Sequence, residues 1–233
     1  MSMRLDVSAT PEQALARCAS AIAQALAAAA QPSLCLAGGT TPRGAYAMLA
    51  ADYENALDWH RVGYWFGDER CVAPTHPKSN YRMALDSLLD PLGVPSHQVH
   101  RMLAELGAQE GARRYAQRLT DRLGARPVFT VALLGMGQEG HTASLFPGSP
   151  ALQAGELVVG VDVPAVPRER ITLTPAALSA EHVFLLVTGE QKRDALAAAV
   201  AAKAPDPHLP TSYVRGSIET VCFCDAAAAP ADS

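Results

Sequence analysis

The stretch VFTVALLGM, residues 128–136, is a continuous apolar run, and it constrains the fold more than any other feature of the chain. A strand with one face in water alternates apolar and polar residues, whereas an unbroken run belongs to a strand covered on both faces. Such cover arises when helices connect parallel strands through right-handed crossovers. Similar apolar runs stand at 33–37 (SLCLA), 62–66 (VGYWF), 171–174 (ITLT), 182–189 (HVFLLVTG) and 221–224 (VCFC). Between them the periodicity predicts helices from Pro11 to about residue 30, from Thr41-Pro42 onward, and over 80–89, 107–123 and 190–203. Thr10-Pro11-Glu12-Gln13 has capping-box spacing with proline at the first helical position, and Leu15, Cys18, Ile22, Leu26 and Ala29 recur on one face. The helix after Thr41-Pro42 turns Tyr46, Leu49 and Ala50 inward, and Ser79 or Asn80 caps the one after it. The expected fold is α/β: a three-layer α/β/α arrangement with a mostly parallel Rossmann-like sheet and helices on both faces. No linker or internal repeat divides the chain, so residues 1–233 read as a single domain.

Composition narrows the partners. A formal charge of −4 gives no basic footprint for duplex nucleic acid or an anionic membrane. The alanine-rich first helix is interrupted by Glu12, Gln13, Arg17 and Gln24, so it is an amphipathic helix of a soluble protein and neither a signal peptide nor a membrane span. Five cysteines in no zinc-binding spacing read as reduced thiols, which places the protein in the cytoplasm.

In a parallel sheet, ligands bind beyond the carboxyl ends of the strands. Polar and glycine-rich stretches stand there: GGTTP (38–42), GDER (67–70), GMGQEGHT (135–142) and TGEQK (188–192). The third contains Gly135-x-Gly137-x-x-Gly140, the pattern of a dinucleotide-binding turn. That reading needs a helix opening at the last glycine and an acidic residue about 20 positions on. HTASLFPGSP follows instead, and Pro147 and Pro150 prevent a long helix. GGTTPRG also lacks the Gly-Lys-Ser/Thr ending of a phosphate-binding Walker loop. The glycines therefore shape a tight turn, and the residue it delivers is His141.

Five blocks carry a family resemblance: LAGGTTPRGAY, GDERCVAPTHPKSNY, LLGMGQEGHTASLFPG, RITLTPAAL and LLVTGEQK. In this order and spacing, over residues 36 to 192, they closely resemble the 6-phosphogluconolactonases, which share a superfamily with the glucosamine-6-phosphate deaminases. The resemblance implies hydrolysis of 6-phospho-D-glucono-1,5-lactone to 6-phosphogluconate in the oxidative pentose phosphate pathway, without metal or organic cofactor. One departure is visible: the family has Asp-Gly-His where this chain has Glu139-Gly140-His141, so the role of position 139 carries over less directly.

The residues suit that chemistry. Water attacks an ester carbonyl faster when a base of pKa near neutrality accepts its proton, and histidine is the natural choice. His141 is the candidate base, Glu139 the residue that orients it, and the amides of the 137–142 turn are candidate oxyanion donors. A phosphate dianion needs N–H donors and cations. Gly38, Gly39, Thr40 and Thr41 lead into a helix N-terminus that offers the donors. By resemblance, Arg170 and Lys192 sit on the phosphate side, Arg70 reaches the phosphate or the lactone end, and Asp68 contacts a sugar hydroxyl. His60, His97, His100 and His208 read as surface or loop residues, His182 opens a strand, and His76 borders the site at most. Trp65 and Phe66 read as core, and Cys71 is not the nucleophile. Two other functions remain open. A deaminase/isomerase would carry an acidic residue five positions after the histidine, where this chain has Phe146. A non-catalytic sugar-phosphate sensor would keep the cations and not need the base. A monomer or a weak homodimer is expected.

Overall fold

The structure, a computed structural model, describes residues 3–231. In chain order its elements are β1 (Arg4–Ser8), α1 (Pro11–Ala28), β2 (Ser33–Leu36), α2 (Thr40–Asp52), β3 (Gly63–Phe66), β4 (Asp68–Arg70), α3 (Asn80–Ala84), α4 (Ala108–Leu123), β5 (Phe129–Leu134), β6 (Val158–Asp162), β7 (Glu169–Leu173), β8 (Ala180–Val187), α5 (Arg193–Ala201) and β9 (Gly216–Asp225). Six strands form a parallel sheet in the order β1-β9-β8-β5-β2-β3, flanked by helices. All six residues of β5 are buried, as its apolar run requires, and so are all four of β2. After β2 the chain adds β3 on one side and then β5 on the other. The winding thus reverses between β2 and β5, which pair through Leu34–Val131 and Cys35–Ala132. The crevice outside that reversal is where such sheets bind ligands.

Helix α1 packs on α2 and lies across β9, β8 and β5. Its start follows the expected chemistry: Thr10 accepts from the Gln13 amide at 3.3 Å, and the Gln13 side chain reaches back to the Ala9 amide at 3.1 Å. The inward face is Ala14, Cys18, Ala19, Ile22, Ala23 and Leu26, with Leu15 and Ala29 half-buried beside it. Ser79, not Asn80, caps α3, which turns into a π-helical stretch over Leu85–Leu89. Among the described residues no helix is long and apolar enough to cross a membrane.

The structure departs from the sequence reading at three places. First, ITLT does not join the parallel sheet. It belongs to β7, which pairs antiparallel with β4 on one side and β6 on the other in a separate three-stranded sheet. A short buried apolar run does not encode the direction of its partner, and DER is too polar and too short to register as a strand. Second, β1 precedes α1 as an edge strand. Its inward positions are Asp6 and Ser8 while Val7 faces outward, the reverse of an amphipathic pattern. Asp6 tolerates burial because the Arg17 guanidinium of α1 grips its carboxylate and holds its pKa below the usual range. Third, His100 is buried at 6% exposure, with its ring 4.0 Å from that of Trp65. Burial first, then Arg118, Arg122 and His97, pushes its pKa down to about 4, so it is a neutral packing residue.

The outer edge of β3 is closed by one side chain and a loop. The His100 amide donates to Tyr64 O at 2.8 Å. The Tyr115 hydroxyl of α4 accepts from the Phe66 amide at 2.7 Å and lies 3.2 Å from Phe66 O. Unpaired backbone groups on a buried strand edge are costly, so this one hydroxyl satisfies two of them. Tyr115→Phe leaves both without their partner; denaturant unfolding should show a loss of about 1–3 kcal/mol with an unchanged slope. No loss would show that the hydroxyl is not what closes this edge.

Candidate active site

A cavity of about 570 Å³ opens at the reversal between β2 and β5. The loop after β2 brings Gly38, Gly39, Thr40 and Thr41 to it, β4 brings Asp68 and Arg70, and β7 brings Arg170. The turn after β5 brings Gly135, Gly137 and His141, and the segment after β8 brings Thr188, Gly189 and Lys192. Of the ten residues expected at the site, only Glu139 does not line the cavity, and it contacts His141 from outside. His76 is not among the lining residues; its Nδ1 accepts from the Lys78 amide. Arg168 pairs with Asp162 at 2.9 Å on the surface.

No helix opens at Gly140, so the glycine pattern is not a cofactor cradle. The turn folds on itself: the Gly137 amide donates to His141 O at 2.8 Å, and the Gly140 amide donates to Gly137 O at 3.1 Å. Gly140 adopts φ +82°, which favours glycine. A Cβ at Gly137 would stand 2.0 Å from His141 Nδ1 and 2.8 Å from Glu139 Oε2. Gly137 is therefore the space that the imidazole fills. Because the Gly137 and Gly140 amides are committed inside the turn, they are not free oxyanion donors, which corrects part of the sequence expectation.

The ring of His141 is held on two sides. Phe146 stacks on it with centroids 4.2 Å apart and planes 15° from parallel. Glu139 Oε1 lies 3.1 Å from Nδ1 but is not aligned for a hydrogen bond, and Nδ1 is otherwise buried without a partner. Burial is the largest influence on His141 and lowers its pKa; Glu139 and Asp68 oppose that shift, and Lys192 adds to it. The imidazole is thus neutral at pH 7. Glu139 sits below the usual carboxylate range: burial raises it, but its own backbone amide, His141 and Lys192 together outweigh that.

Across the cavity, the antiparallel register Asp68–Thr172 and Arg70–Arg170 puts four side chains on one face of the small sheet. Asp68 is 5% exposed and accepts from Asn80 Nδ2 at 2.9 Å and Ser144 Oγ at 2.6 Å, with an Arg170 amino group 3.8 Å away. Arg170 also donates from Nε to Pro167 O at 2.9 Å. Arg70 donates to Lys78 O at 2.7 Å and keeps a buried Nε with no partner. Glu69 points the other way and accepts from Ser79 Oγ and the amides of Arg70, Asn80 and Tyr81. Burial still raises its pKa against those four donors. Glu69 thereby fixes the start of α3, which aims Asn80 at Asp68. A Cβ at Gly38 would lie 2.1 Å from Asn80 Oδ1, so that glycine makes room for the asparagine.

At the remaining wall, the N-terminus of α2 has no side-chain cap, and Gly39 enters it at φ +108°. Thr41 Oγ1 lies 3.4 Å from Thr188 Oγ1, which joins this helix end to the segment carrying Lys192. Burial lowers the pKa of Lys192, with Glu139 opposing. Cys71 is half-buried, and burial, with Glu169 and Glu69 adding to it, pushes its thiol up to about 12. It is no nucleophile at neutral pH. Among the described residues no group of three or more His, Cys, Asp or Glu side chains is placed to hold a metal ion.

Sequence reasoning did not find Asn80, Ser144 or the stacking role of Phe146. Asn80 read as a cap and Phe146 as the absence of a carboxylate. Ser144 carried no signal, because its partner is 76 residues away.

Comparison with known proteins places this arrangement. The family model described as glucosamine-6-phosphate isomerases/6-phosphogluconolactonase matches residues 6–222. A 6-phosphogluconolactonase of Synechocystis is 34% identical over 220 residues, covering 92% of this chain and 90% of its own. One of Streptomyces coelicolor is 37% identical over 232 residues, covering 94% and 88%. The solved 6-phosphogluconolactonase of Trypanosoma cruzi superimposes with a TM-score of 0.86 at 28% identity, covering 98% of this chain and 97% of the other. A monomeric glucosamine-6-phosphate deaminase shares the fold, with a TM-score of 0.83 at 22% identity over 97% and 98% of the two chains. The chain belongs to the glucosamine-6-phosphate isomerase/6-phosphogluconolactonase family.

Proposed function

We propose that this protein hydrolyses 6-phospho-D-glucono-1,5-lactone to 6-phosphogluconate, with His141 as the general base. The observation that carries the proposal is a neutral imidazole, backed by Glu139 and stacked by Phe146, on the wall of a cavity that also holds Lys192 and Arg170. Nδ1 is buried against Glu139, which leaves Nε2 for the substrate side. Water placed there gives its proton to Nε2 as its oxygen bonds to the lactone carbonyl carbon. The resulting tetrahedral oxyanion collapses, the bond from that carbon to the ring oxygen breaks, and His141 returns the proton to the departing oxygen. Glu139 steadies the imidazolium between the two transfers, as a carboxylate does for a catalytic histidine elsewhere.

The substrate's phosphate is assigned to Arg170, Lys192 and the turn formed by Gly38, Gly39, Thr40 and Thr41. Lys192 and the uncapped start of α2 line the same cavity, and Thr41 of that helix end meets Thr188 of the segment carrying Lys192. Arg170 stands with Asp68 and Arg70 on one face of the small sheet, where Asp68 is suited to a sugar hydroxyl and Arg70 to the lactone end or the phosphate. Family membership alone admits a deaminase/isomerase as well. Phe146 favours the lactonase, since an apolar ring packed on the imidazole puts no second proton carrier there. The relatives named 6-phosphogluconolactonase, at 34–38% identity over most of the chain, point the same way.

Two measurements test this reading. Lactone hydrolysis above the spontaneous rate should be present in the wild type and fall about 10²–10⁴-fold in His141→Ala, with no ammonia released from glucosamine 6-phosphate. A wild-type rate at background, or ammonia release, would sink the lactonase assignment, and full activity in the variant would remove His141 as the base. Separately, Lys192→Ala should raise KM for the phosphorylated lactone about tenfold or more with a smaller change in kcat, as loss of a charge-assisted contact implies. An unchanged KM would remove Lys192 from the phosphate site.

A further inference from the structure

The loop between α5 and β9, residues 202–215, carries Pro205, Pro207 and Pro210. Its central part is built as a rigid unit. The Asp206 amide donates to Ser212 Oγ at 2.7 Å, the Leu209 amide to Asp206 O at 2.8 Å, and the Ser212 amide to Leu209 O at 2.8 Å. Pro210, Thr211 and Ser212 are buried in a 3-10 turn. Arg215 braces the loop from below, donating to Thr211 O at 3.1 Å and Val214 O at 2.7 Å.

This unit grips both ends of the segment that carries His141 and Phe146. At the near end, the Thr211 hydroxyl donates to Gly140 O at 2.6 Å, and the Thr211 amide donates to the same oxygen at 3.1 Å. At the far end, the Gly148 amide donates to Pro207 O at 2.8 Å. Leu209 packs on Gly140 so closely that a Cβ there would lie 2.5 Å from Leu209 Cδ1. Gly140 O belongs to the peptide group that joins Gly140 to His141. Two donors on one carbonyl set the plane of that peptide, and with it the direction in which the His141 side chain leaves the backbone. The Gly140 backbone is free to take other conformations, since it has no Cβ.

We propose that Thr211 is a positioning residue for His141: its hydroxyl and amide lock the Gly140–His141 peptide so that the imidazole is presented to the cavity between Glu139 and Phe146. Thr211 is 71 residues from Gly140 in sequence and is fully buried. The inference rests on the assignment of His141 as the base.

The test uses the full-length protein and the variants Thr211→Val, Thr211→Ser and His141→Ala. Valine keeps the shape and removes the donor; serine keeps the donor and removes a methyl. Thr211→Val should lower kcat for lactone hydrolysis about tenfold or more, since small displacements of a catalytic group are costly, with KM within about twofold and a shifted acid limb of the pH–rate profile. Thr211→Ser should recover most of kcat and the wild-type profile. Wild-type kcat and profile in Thr211→Val, or equal loss of kcat in both variants, would overturn the proposal. A misfolded Thr211→Val would leave the serine variant to decide, because a packing role predicts that serine fails where a donor role predicts that it works. If His141→Ala is as active as wild type, the base assignment fails; if it is inactive while Thr211→Val is unimpaired, the base stands and only the positioning role falls.

Discussion

The imidazole of His141 occupies the volume that any side chain at position 137 would fill, and the rest of the site follows from that exclusion. The ring lies against the bare Cα of Gly137, so its other face is free to stack on Phe146 and its Nδ1 edge meets Glu139. Enclosure by these groups buries most of the ring, and that burial lowers its pKa. The acidic neighbour works in the opposite sense and limits the shift. A general base gains from this balance, because it must be unprotonated before the reaction and willing to take a proton during it.

A second buried group ties the two sheets together. The Asp68 carboxylate sits on the small antiparallel sheet, yet its ligands come from α3 through Asn80, from the segment after His141 through Ser144, and from β7 through Arg170. A buried carboxylate left with fewer partners would be costly, so each of these contacts constrains the others. The wall bearing the arginines and the wall bearing the base are thereby held in one geometry. Glu69 contributes from behind by fixing the first amides of α3.

The sequence made the parallel sheet and most of the cavity residues legible, because these depend on local patterns; the strand order, and with it the reversal between β2 and β5, came from the structure. The run at 128–136 announced a strand covered on both faces, and glycines or charges at strand ends marked the crevice. What stayed hidden depends on pairing. Strand β1 turns Asp6 inward because Arg17 of the next helix, with Arg4 beside it, compensates its charge. The small sheet exists because DER finds RIT a hundred residues later, and nothing in either tripeptide states the direction of the other. Asn80 and Ser144 matter only once Asp68 lies between them. His100 looked like a loop residue because its burial comes from Trp65, on a strand distant in sequence. The family blocks supplied the candidate site residues that pairing would otherwise have concealed, and the structure brings nine of those ten to one cavity wall or another.

The claim that a neutral, enclosed imidazole next to Glu139 is the reactive group is tested most directly by titrating that ring. An NMR titration of His141 in the wild type and in Glu139→Gln reads its pKa without reference to turnover. Burial dominates the shift, so the wild-type value should lie below the ordinary histidine value of about 6.5. Removing the Glu139 charge deletes an influence that raises it, so the variant should titrate at lower pH still. A wild-type value at or above the ordinary one, or a variant value that stays put or rises, would contradict the account.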